Sequence, residues 1–107
     1  MAEDQLLGSL PGWLEQHTAS APEALRARVC GYAAEIALHP HLPTALALAG
    51  ERALARVLAH PGGRSVALDL LAADALVTLA LLAQAESAPE GLEEFAERLL
   101  RMHLPPR

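Results

Sequence analysis

Residues 65–86 read as a single helix that is apolar almost all the way round. Between Val66 and Ala85 only Asp69, Asp74, Thr78 and Gln84 interrupt a run of Leu, Ala and Val. A helix with one apolar stripe lies on a surface, whereas a helix apolar on most faces has to be surrounded. Full cover takes about five or six neighbours at roughly 8–10 Å. The rest of the chain offers three long helical segments and one short one, fewer than that. The deficit predicts either a tightly folded N-terminal segment over the top, or a face of 65–86 or 89–103 covered by a second copy or an obligate protein partner.

With 107 residues the chain is expected to form one helical domain, 1–107, with a hydrophobic core that needs no staples. Trp13, Tyr32 and Phe95 are its whole aromatic set, so the core has to be Leu and Ala packed helix on helix. All the basic residues are Arg, and Lys and Asn are absent, a pattern that fits a GC-rich bacterial genome. No lysine exists to form a Schiff base or to serve a phosphate-binding loop. The formal net charge of −5 argues against nucleic acid as a partner, since phosphate contacts need a concentrated basic patch. Arg26 with Arg28, and Arg52 with Arg56, are the nearest approach to one.

Cys30 stands alone, which fits a reducing, cytoplasmic setting. The start, Met-Ala-Glu-Asp, lacks the basic and apolar regions of a signal peptide. Two aspartates within 65–86, each costing several kcal/mol in a bilayer, argue against a membrane span.

Prolines and capping signals divide the chain. Asp4 is positioned to cap a short first helix carrying Leu6, Leu7 and Leu10, which Pro11-Gly12 breaks or kinks before a further turn with Trp13, Leu14 and His17. Ser20-Ala21-Pro22-Glu23 has the form of a capping box, and Ser87-Ala88-Pro89-Glu90 repeats it letter for letter. The first box leads a helix with Leu25, Val29, Tyr32 and Ile36 on one face. Gly31 within it predicts a close helix crossing beside Tyr32.

After the stiff corner His39-Pro40-His41-Leu42-Pro43, a third helix runs to about His60. Leu46, Gly50, Ala53, Leu54 and Val57 form its buried stripe, with Glu51, Arg52 and Arg56 facing out. Pro61-Gly62-Gly63 stops it and Ser65 caps the central helix. The last helix is amphipathic, with Leu92, Phe95, Ala96, Leu99 and Leu100 on one side. On the other side Glu94 and Arg98, and Glu97 and Arg101, stand at the i,i+4 spacing that favours ion pairs. Pro105-Pro106 ends it. No stretch alternates as a strand would. The fold class is all-α: a compact helical bundle of four main helices plus a short N-terminal one, with 65–86 at its centre.

Few constellations could carry chemistry. Glu35, His39 and His41 cluster within one helical turn and a corner, as metal ligands do. Bundle metal sites, however, use Glu-x-x-His from two helices, and here the spacing is Glu-x-x-x-His without a second copy. A His near a helix C-terminus, beside a solvated Glu, accounts for the same residues. Asp69 and Asp74 project about 140° apart on their helix and cannot pair with each other. Asp69 lies near the start, where a carboxylate offsets the dipole. Asp74, flanked by Leu70, Leu71, Leu76 and Val77, would need a partner if buried, and an Arg on a facing helix is the expected one. No Gly-x-Ser-x-Gly, His-Glu-x-x-His or Cys-x-x-Cys occurs, and Gly62-Gly63 is a turn.

The reading is a non-catalytic helical interaction module or accessory subunit, without a cofactor, that engages itself or another protein through apolar helix surfaces. The alternative is a metal- or small-ligand-binding bundle using Glu35, His39 and His41, or Asp74.

Overall fold

The structure, a computed structural model, describes residues 2–36, 39–60 and 62–103, excepting the side chains of 2–9 and of 103. Among them are five α-helices and no strand: α1 Ala2–His17, α2 Glu23–Ala34, α3 Leu42–Ala59, α4 Arg64–Ser87 and α5 Leu92–His103. A single 3-10 turn, Pro89–Gly91, links α4 to α5. The expected roles of Asp4, Leu6, Leu7, Pro61 and Pro105-Pro106 lie outside the described residues.

Helix α4 is the long central apolar element, and α3 is its most extensive neighbour. Their hairpin closes through Gly62 and Gly63, at φ +98° and +91°. Side chains with a Cβ disfavour that region, so the glycines let α4 start back along α3 within a few residues. Gly63, not Ser65, is the N-cap of α4, and no side chain caps it.

Small residues set the distance between the two helices. Ala49 and Ala53 of α3, and Ala72 and Ala80 of α4, are fully buried, with Leu46 and Leu76 filling the gaps. The tight crossing is at Gly50, where a Cβ would lie 3.2 Å from Val77 Cγ2 and 3.3 Å from Leu76 Cβ. Gly31 faces solvent with open space around it, so the crossing expected beside Tyr32 is absent there.

Helix α2 packs Val29, Tyr32 and Ala33 against α3 and α4. Helix α5 seats Phe95 and Leu99 in the core, while Leu100 is left 61% exposed. Arg98 lies over the Phe95 ring at 5.7 Å, and neither it nor Arg101 closes the expected pair with Glu94 or Glu97 among the described residues.

Three local expectations give way to backbone geometry. Helix α1 runs unbroken through Pro11. Pro11 and Gly12 face solvent while Leu10 and Leu14 on either side are buried, so water can serve the carbonyl that lost its N–H and packing holds the helix together. The Ser20 box does not form. Pro22 is extended (φ −55°, ψ 143°), so α2 begins after it and Ser20 lies too far upstream. Ser87 belongs to the end of α4, where its hydroxyl donates to the Ala83 carbonyl at 2.8 Å.

The two glycines make opposite predictions. Gly31→Ala should raise stability by about 0.5–1 kcal/mol, the helix-propensity gain at an open site. Gly50→Leu should cost about 1–3 kcal/mol or more by wedging α3 from α4. Chemical-denaturation midpoints of the two variants check both signs.

Candidate functional site

The one buried carboxylate among the described residues is Asp69, at 2% exposure on the core face of α4. It shares that face with Ala72, Ala73, Leu76, Ala80 and Ala83, all buried. Two α2 side chains, one turn apart, reach it. Arg28 Nη1 donates to Asp69 Oδ1, and the Tyr32 hydroxyl donates to the same oxygen at 2.8 Å. Arg28 also reaches the Ser65 carbonyl at 3.4 Å, which ties α2 to the first turn of α4. The Arg56 guanidinium of α3 lies 5.9 Å from the centre of the Tyr32 ring. Three helices therefore meet at this cluster.

Burial pushes the Asp69 carboxyl up, but the hydrogen bonds from Arg28 and Tyr32 and the charges of Arg28 and Arg56 outweigh it and hold it below its ordinary value. The Tyr32 phenol is raised, first by burial, then by its bond to Asp69 and the negative charge there. An ionised Asp69 and a neutral Tyr32 are thus locked together. That arrangement serves as an interhelix fastening and offers neither a free base nor a free nucleophile.

Beside it runs an open groove of about 580 Å³ lined by Ala24, Arg28, Gly31, Tyr32, Glu35, Arg56 and Leu68, among others. Two of its ionic groups are engaged from outside the groove, Arg28 by Asp69 and Glu35 by Arg52 of α3 at 2.8 Å, while Arg56 lies over the Tyr32 ring.

The residues read as possible ligands are drawn into separate structural tasks. Glu35 holds Arg52. His39 Nδ1 accepts from the His41 backbone N–H at 3.1 Å, shaping the corner before α3. His41 is the N-cap of α3, its Nδ1 accepting the Thr44 backbone N–H at 3.3 Å. Burial, followed by the charges of His39 and Arg98, lowers its pKa, which keeps that nitrogen free to accept. Among the described residues no group of three His, Cys, Asp or Glu side chains is arranged to hold a metal ion.

Asp74 is exposed and forms no ion pair with an Arg among the described residues, so the expected buried pairing belongs to Asp69 instead. The backbone carbonyl of Asp74 accepts the Thr78 hydroxyl at 2.9 Å. Its surroundings are the outward face of α4, where Leu70, Leu71 and Leu82 are 51%, 54% and 39% exposed. Helix α1 borders that face: Trp13 Nε1 donates to Glu86 Oε1 at 3.1 Å, and His17 stacks on Trp13 and lies 3.3 Å from the other Glu86 oxygen. Three large apolar side chains thus stand exposed along one side of a helix whose other sides are packed. Comparison with protein-family models, with curated proteins and with solved structures gave no match.

The two aspartates should separate cleanly on substitution. Asp69→Ala leaves Arg28 and the Tyr32 hydroxyl without their acceptor and should cost about 3 kcal/mol. Asp74→Ala should stay within about 0.5 kcal/mol of wild type. The pH dependence follows from the depressed Asp69 value. Its contribution is complete above the ordinary carboxylate pKa of about 4 and is lost as pH falls through the lower, folded-state value. Urea midpoints measured from pH 6 down to pH 2 should therefore fall less steeply for Asp69→Asn than for wild type.

Proposed function

We propose that the chain is a non-catalytic helical interaction module whose working surface is the outward face of α4. The observation that carries this reading is the exposure of Leu70, Leu71 and Leu82 on a helix whose other sides form the core. Burying a Leu side chain is worth about 1.5–3 kcal/mol, so several of them aligned on one rigid helix favour association. The fastening of Asp69 to Arg28 and Tyr32 supports the reading from the other side: it holds α4 in a fixed rotation, so the same residues always face out. Two of the groove's ionic groups, Arg28 and Glu35, are engaged by Asp69 and Arg52, which weighs against their holding a substrate or cofactor.

Helix α4 is long and apolar enough to cross a membrane, by length and composition alone. Its part in the core and its Asp69–Arg28 pair favour a protein partner over lipid, because insertion would have to carry both charges along or break the pair. A reducing, cytoplasmic setting and no nucleic acid go with this proposal.

The test is the size of the native species. In a gently prepared lysate of its own cells the wild-type chain should elute well above the 11.3 kDa of a single copy. A Leu71→Asp/Leu82→Asp variant, altered only on the outward face, should keep its helical circular dichroism and elute as a lone chain. Identical elution of the two would contradict the proposal.

A further inference from the structure

The pattern of the open α4 face identifies what covers it. Ala67, Leu71, Asp74, Thr78, Leu81 and Ala85 follow one another at steps of four, three, four, three and four residues. That is the four-three spacing of a two-helix coiled-coil seam: the first four are exposed and the last two half-buried, with Leu81 also touching the chain's own core and Asp74 and Thr78 bordering the end of α1. Leu70 and Leu82 flank its two edges.

The seam is also a palindrome about the level of Leu76. When two such helices run antiparallel with their centres aligned there, each layer pairs a residue with its mirror position. Ala67 then meets Ala85, Leu71 meets Leu81, and Asp74 meets Thr78. Small packs on small and large on large. The one carboxylate in the seam faces the one hydroxyl, an acceptor opposite a donor. At the ends Arg64 falls opposite Ala88 of the other copy, against the last carbonyls of its α4 and near Glu90, where a cation is favoured by the helix dipole and by charge.

The other registers lack this match. A parallel pair puts Asp74 on Asp74. An antiparallel pair displaced by one heptad puts Asp74 on Leu71 or on Ala85, leaving a carboxylate against carbon without a donor.

The geometry points to a second copy of this chain as the occupant of the α4 face, bound antiparallel about a two-fold axis at Leu76, with Asp74 and Thr78 fixing the register. This rests on the interaction reading above and names its partner. The Thr78 hydroxyl, which donates to the carbonyl of its own Asp74 in the single chain, turns to the Asp74 carboxylate of the other copy. A polar layer of this kind sets orientation at some expense of affinity, as a single polar residue does in coiled coils.

The experiment uses the full chain carrying Cys30→Ser. Chains with Ala67→Cys and chains with Ala85→Cys are mixed at micromolar concentration and treated with a short bis-maleimide. The result expected is cross-linking between positions 67 and 85, with little 67–67 or 85–85 product, because like positions lie about 27 Å apart in this register. Sedimentation equilibrium of the untagged purified chain should give a dimer, and Thr78→Asp should weaken it at least tenfold with helical circular dichroism unchanged. A dimer cross-linked mainly at 67–67, or one insensitive to Thr78→Asp, would overturn the proposal. So would a purified chain that stays monomeric. If the large lysate species still depends on Leu71 and Leu82 in that case, the interaction module survives with a different partner; if it does not, both readings fall.

Discussion

Everything in this fold follows from the need to cover α4. Twenty-four residues of helix with so little polar surface cannot stand in water alone, and the other helices are arranged according to how closely each can approach it. Helix α3 comes nearest because Gly50 and a row of alanines let the two backbones close up. Helix α2 covers the next side and is pinned in rotation by one buried carboxylate. Helices α1 and α5 close further sectors with Leu10, Leu14, Phe95 and Leu99. One sector is left open, and its residues are leucines and alanines with an aspartate and a threonine between them.

The Asp69 cluster has a structural meaning that bears on function at one remove. An apolar helix packed only by leucines and alanines can rotate or slide at little cost, since many similar side chains can exchange places. A buried carboxylate with two donors on one neighbouring helix removes that freedom, because any rotation of α4 would leave Arg28 and Tyr32 facing carbon. The outward face is therefore defined by the inward one. This is how a core interaction between α2 and α4 can govern a surface it does not touch.

The sequence makes the large-scale architecture legible and the small-scale pairing much less so. The apolar run of 65–86, the prolines and the apolar stripes of the flanking helices are enough to predict an all-α bundle with that helix at its centre. The shortage of neighbours was visible too, and the exposed leucines of α4 match it. The exchange of roles between Asp69 and Asp74 was not visible, because which side of α4 meets α2 depends on a contact 41 residues away in sequence. A signal did exist: Asp69 stands in register with Ala72, Ala73, Leu76, Ala80 and Ala83, whereas Asp74 stands with Thr78. The two Ser-Ala-Pro-Glu stretches misled for a related reason. Their letters fit a capping box, but the backbone at Pro22 and Ala88 is non-helical, which puts the serines outside the helices they seemed to start. Gly31 and Gly50 look alike in sequence, and only the crossing of α3 over α4 tells them apart.

The central claim proposed here is that the chain itself covers the inward sides of α4 and leaves the outward side to a second copy of itself. Thiol labelling along that one helix tests it most directly. On a Cys30→Ser background, single variants Leu71→Cys, Leu82→Cys and Ala73→Cys are reacted with a maleimide over a dilution series. The account predicts fast labelling of positions 71 and 82 in dilute solution, slowing at least tenfold as concentration rises, with position 73 protected throughout. Equal reactivity at 71 and 73, or labelling at 71 and 82 that does not change with concentration, would contradict it.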